Sequence, residues 1–158
     1  MMQKTIALAL LALASTAKAD LGDSYAISAQ RFGNKGIVNK ATQSVNWLGN
    51  SQYTTVSEQF HHNQCCAILY IPTRGNHILE SEIWRLLQRN VKTNVTWTEY
   101  TDPNAPRAWV SSEGTIYAEL LESGVLRVAY KSWLVRHGLL GVPAMEQPAM
   151  APVEDDAI

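Results

Sequence analysis

The sequence predicts an α+β fold in which two tandem units, each a helix followed by an antiparallel β-meander, share one domain. Three observations carry that prediction. The stretch from Leu79 to Asn90 sets Leu79, Ile83, Leu86 and Leu87 at helical spacing, with Ser81, Arg85 and Gln88 on the opposite side. β-rich segments of similar length lie on both sides of it. The two flanks also superpose: Trp47 falls on Trp109 at an offset of 62 residues, and the same offset lays Tyr53–Phe60 over Thr115–Glu122. Two extra residues in the first hairpin then bring Cys65–Tyr70 over Val125–Tyr130. A shift of 57 sets Ala26, Ala29 and Gly33 on Ile83, Leu86 and Asn90, so the half-repeats run over about 21–72 and 79–137.

Residues 1–19 read as a secretory signal: Lys4, an apolar run from Ile6 to Ala14, and Ala17 and Ala19 around an A-x-A cleavage site. The run is too short to span a bilayer, and no later stretch is long enough either. The expectation is a secreted or periplasmic, soluble chain beginning at Asp20, with no lipid-anchoring cysteine after the cut. Residues 20–141 form one domain, long enough to bury a core of its own. Residues 142–158, with Pro143, Pro148, Pro152, Glu154, Asp155 and Asp156, have no periodicity and read as a disordered acidic tail.

Charge excludes some partners. Taking Lys4 and Lys18 from the thirteen Lys and Arg leaves eleven in the body, and taking Glu146, Glu154, Asp155 and Asp156 from the fourteen acids leaves ten. A body so nearly neutral gives no electrostatic reason to expect nucleic acid or an anionic membrane.

In chain order, Gly22–Phe32 is the first helix, capped by Asp23 or Ser24 and ended by Gly33. Ser44–Leu48, Tyr53–Phe60 and Cys65–Ile71 follow as strands, separated by Gly49-Asn50-Ser51 and by His62-Asn63-Gln64. After the central helix, with Asn90 as a left-handed stop, Val95–Tyr100 is a strand. Asp102-Pro103-Asn104-Ala105-Pro106 is a loop, because two prolines interrupt a ladder. Ala108–Ser111, Thr115–Leu121 and Val125–Lys131 then form a meander, and Ser132–His137 a last short helix.

Gly22, Ser24 and Gly33 carry a resemblance. They stand where an opening glycine, a hydroxyl cap and a closing glycine stand in the helix of the β-lactamase inhibitor protein family and the related SmpA/OmlA-type periplasmic modules. The chain resembles these modules in layout. It departs from them at Ser28, where an aliphatic residue is expected, and at Leu79, where the second helix lacks its opening glycine; the inhibitor-type disulfides are also absent. The resemblance implies an exported protein that binds another protein with the open face of a sheet.

The candidate chemistry is sparse. His61, His62, Cys65 and Cys66 are the one cluster of metal-ligating types, but a two-residue turn at Asn63-Gln64 would set His62 against Cys65 and His61 against Cys66 on opposite faces. A closed site would then need His77, His137 or a second subunit, so no metal and no cofactor is expected. Adjacent cysteines cannot bridge without strain, which leaves an intermolecular disulfide through Cys65 or Cys66 as a route to a dimer. No nucleophile elbow, zincin, Walker or dinucleotide motif is present. Glu58, Glu99 and Glu119 lie on strands and are the candidate carboxylates for a hydrolase. The aromatic residues are the remaining signal: Trp47, Tyr53, Trp97, Trp109 and Tyr117 are the candidate binding residues of an exposed sheet face, recognising a protein or a carbohydrate. The alternatives are a small extracytoplasmic hydrolase using Cys66 or a strand carboxylate, and a structural subunit self-associating through an edge strand.

Overall fold

The computed structural model describes residues 20–33, 36–48 and 53–140, with the side chains of Tyr53 and Thr54 excepted. The signal, the acidic tail and the Gly49-Asn50-Ser51 turn lie outside the described residues. The elements run α1 (Tyr25–Phe32), β1 (Ile37–Asn39), β2 (Ser44–Leu48), β3 (Tyr53–His61), β4 (Gln64–Pro72), α2 (Glu80–Arg89), β5 (Trp97–Asp102), β6 (Ala105–Ser111), β7 (Ile116–Leu120), β8 (Leu126–Tyr130) and α3 (Lys131–Arg136). All eight strands join one antiparallel sheet in the order β1-β2-β3-β4-β8-β7-β6-β5. The protein is therefore mixed α and β, and mostly sheet. No helix among the described residues is long and apolar enough to cross a membrane.

Period-two alternation decides which side chains each face receives. Val56, Ile68, Tyr70, Trp109, Ile116, Ala118, Leu126 and Val128 point to one face and meet Ile83, Leu86 and Leu87 of α2. On the same face Ala29 of α1 packs on Val45 and Trp47, and Phe32 stacks on Trp47 with ring centroids 4.9 Å apart. The opposite face carries α3. There the cross-strand pair Ala67 and Ala129, both fully buried, leaves a shallow place where Leu134 sits. Two small residues at the central seam let a six-residue helix lie against the sheet.

Helix ends follow their sequence signals at α1 and not at α2. Ser24 accepts from the Ile27 amide, and Gly33 closes α1 at φ 73°. Asn90 does not enter the left-handed region; its φ is −90°. Its side chain stops the helix instead. Asn90 Nδ2 donates to the Leu86 carbonyl (2.8 Å) and to the Tyr70 hydroxyl (3.4 Å), while Oδ1 accepts from the Leu21 amide (3.0 Å). A buried amide thus ties the N-terminal segment, α2 and β4 together. Asn90→Ala is expected to cost about 2 kcal/mol in urea unfolding, because it strips partners from buried polar groups.

Two further expectations are corrected. Asp102–Pro106 is not an open loop: Asp102 pairs with Ala105 in a tight β5–β6 hairpin. The register shift between Tyr100 and Asp102 is a bulge, where Pro106 removes no needed ladder bond. The hairpin turn after β3 is His62-Asn63, both at positive φ (49° and 62°), the conformation that matches strand twist. His61 therefore faces Gln64 and Phe60 faces Cys65, one residue earlier than the sequence suggested.

Candidate functional site

Burial removes most of the aromatic face. Trp47, Trp97 and Trp109, expected as exposed binding residues, belong to the core: Trp47 is 1% exposed, Trp109 is fully buried, and Trp97 is packed with them under the helices. Each sits on the same strand face as the apolar residues that α1 and α2 cover. Tyr53 has no described side chain. Tyr117 lies on the α3 face, half-buried, edge-on to Tyr100 (6.0 Å between centroids) with the Lys131 ammonium 6.0 Å from its ring centroid. Ile116 and Ala118 face the helices, as the strand alternation predicts.

The candidate carboxylates are not brought together. Glu99 is exposed and, with Glu80 of α2, clamps Arg107, which holds both carboxyls below their usual pKa. Glu119 is buried on the Tyr117 face and paired with Arg127. Glu58 lies beneath α1, where Oε2 accepts from Trp47 Nε1 at 2.7 Å. Burial drives its pKa up to about 7 against the opposing pull of the Trp47 and Ser28 hydrogen bonds. Ser28, the departure from the aliphatic pattern of the resembled helix, is thus the α1 residue set over this acid.

The thiols are unsuited to nucleophilic work. Both cysteines are free and buried. Burial raises the Cys65 pKa well above its ordinary value, with the Glu58 charge adding to it. Cys66 is also raised by burial, and Arg136 only partly offsets that. Cys66 Sγ lies 3.1 Å from the Gln59 carbonyl oxygen, while Cys65 is fully enclosed in the core. Among the described residues no group of three or more His, Cys, Asp or Glu could hold a metal ion.

What the fold does assemble is a cleft of about 470 Å³ beside α3. Its floor is Gln59, Phe60 and His61 of β3, one wall is Trp133, Arg136 and His137 of α3, and the other is Ala41, Thr42 and Gln43. The last wall is a built loop. Asn39 Oδ1 accepts from the Ala41 and Thr42 amides, and the Gln43 carbonyl accepts from the Phe60 amide at 2.8 Å. On α3 the His137 imidazole stacks on Trp133 (4.3 Å) with Nδ1 2.8 Å from the Trp133 carbonyl oxygen. At the hairpin the His61 and His62 rings lie 4.0 Å apart. Desolvation, then the Arg136 guanidinium, then the His62 and His137 imidazoles hold the His61 pKa below its ordinary value. His137 and Arg136 were not legible as partners of His61, since only the β4–β8 seam and the turn into α3 bring them near. No protein-family model, curated protein or solved structure matches this chain.

Proposed function

We propose that this chain is an exported, non-catalytic binding protein that recognises another protein through the α3 face of its sheet. The observation that carries this reading is the contrast between the faces. The α1–α2 face is closed over its tryptophans, whereas the other presents half-buried Tyr100, Tyr117 and Trp133 beside charged Arg127 and Lys131. Aromatic rings with one edge wet and a charged rim are the composition of protein contact surfaces. Supporting it further, the nucleophiles are buried and protonated and the carboxylates lie apart, so the hydrolase reading finds no acid–base pair near the cleft.

The tandem organisation belongs to the same proposal. In each half a helix precedes four antiparallel strands, and the halves join at β4 and β8. Trp47 pairs across the ladder with Val56, and Trp109 with Ala118, which keeps the 62-residue offset in both members. A duplicated module with one open face suits a binding protein.

The experiment is site-specific photocrosslinking in the exporting cell, with the photoreactive residue at Tyr117 and, as control, at exposed Gln88 on α2. A discrete crosslinked protein from position 117 alone, whose purified form then binds the purified chain, is the expected result. Equal capture from both positions, or none from position 117, overturns the reading.

A further inference from the structure

We propose that the cleft between α3 and β3 binds an acidic peptide segment of the partner protein, seating carboxylates among Arg136, His61 and His137 and an apolar side chain on Trp133. This deepens the preceding proposal and rests on it. The argument is charge complementarity in a nearly neutral body. Arg136 makes no ion pair among the described residues, and no lining residue of the cleft is acidic. Arg85 is engaged with Glu82, and Arg107 with Glu80 and Glu99, while Arg74, also exposed, lies outside the cleft lining. The groups that face His61 come from every neighbouring element and share one sign: Arg136 and His137 from α3, and His62 from the hairpin tip. Below them only the buried Cys66 thiol titrates, and burial keeps it neutral. The Ala41–Gln43 wall carries no charge.

Mutual repulsion of these cations is relieved by an anion, so binding and protonation are linked. A bound carboxylate favours the charged form of the His61 imidazole, and binding therefore takes up protons near neutral pH. Affinity must rise as pH falls from 8 to 5.5, a window in which Asp and Glu side chains of the ligand stay ionised. The stacked Trp133 ring favours a peptide of alternating acidic and apolar residues over a uniformly charged polymer, for which the body offers no wider cationic field.

The test uses the full chain and a fluorescein-labelled peptide of alternating glutamate and leucine, with its glutamine counterpart as control. The expected result is binding of the acidic peptide alone, tightening about tenfold between pH 8 and 5.5 as exposed ion pairs accumulate. Calorimetry in buffers of different ionisation enthalpy should show proton uptake at pH 7. Arg136→Gln and His137→Gln, both on exposed positions with unchanged thermal melts, should each weaken binding several-fold. Equal binding of the neutral peptide, indifference to both variants, or preference for a sulfated oligosaccharide overturns the proposal. Crosslinking from Tyr117 that persists while the peptide fails would leave the protein-binding reading standing and remove this site from it.

Discussion

Glu58→Gln is expected to raise stability at pH 8 by about 3 kcal/mol and to leave it unchanged at pH 4. The carboxyl is fully buried under α1 and its pKa is raised from 4.5 to about 7, first by desolvation. The sign follows directly. Below pH 4.5 the group is protonated in both folded and unfolded chains and contributes nothing to the difference between them. Between 4.5 and 7 the unfolded chain releases its proton while the folded one retains it, so stability falls with rising pH; above 7 both are ionised and the loss is complete. Glutamine keeps an oxygen for Trp47 Nε1 and offers an N–H₂ to the Ser28 hydroxyl beside it. Urea unfolding at pH 4, 6 and 8 should show two curves that coincide at the acid end and separate steadily. Parallel curves would mean that the buried acid is not the source of the pH dependence.

The same acid shows where sequence reading stops. Val45, Trp47 and Val56 stand at alternating or cross-strand positions of one face, so the burial of Trp47 was legible from its neighbours once β2 and β3 were paired. Composition alone, which placed tryptophan on a binding face, lacked that register. α1 was legible to its caps, because Ser24 and Gly33 act on the backbone next to them. β2 was legible to its ends for a similar reason. β1 was not: three residues, all exposed, carry no alternation to read. At the β5–β6 hairpin the rule against proline in a ladder gave way to a bulge that takes Pro106 out of the bonding pattern. Asn90 ends its helix with a side chain that needs Tyr70 and Leu21, distant in sequence, to do so. The cleft belongs to that second kind of feature. Its imidazoles sit at 61 and 137, and nothing local to either announces the other; the pairing Ala67–Ala129 is what makes them neighbours.

Gly36→Ala is expected to destabilise the protein by about 3 kcal/mol, lowering the melting temperature by roughly 10 °C. The reason is not backbone freedom. A Cβ at Gly36 would meet Val45 Cγ1 and Trp47 Cζ3 at 2.5 Å and Trp47 Cε3 at 2.7 Å. None of these atoms can yield cheaply. The indole is held by its 2.7 Å hydrogen bond to Glu58 on one side and by the parallel Phe32 ring on the other, and Val45 is buried beneath α1. Relief requires the segment leading into β1 to lift from the sheet, which uncovers Trp47. Gly75 supplies the contrast, with open space around its Cβ but φ at +82°. Gly75→Ala should cost only about 1 kcal/mol, the price of a left-handed residue alone. Measured side by side, a Gly36 effect no larger than that of Gly75 would show that the β1 segment moves aside freely. A larger one, accompanied by a change in tryptophan fluorescence, places the lid over Trp47 at Gly36 and makes β1, the strand the sequence hides best, the part that closes the first half of the core.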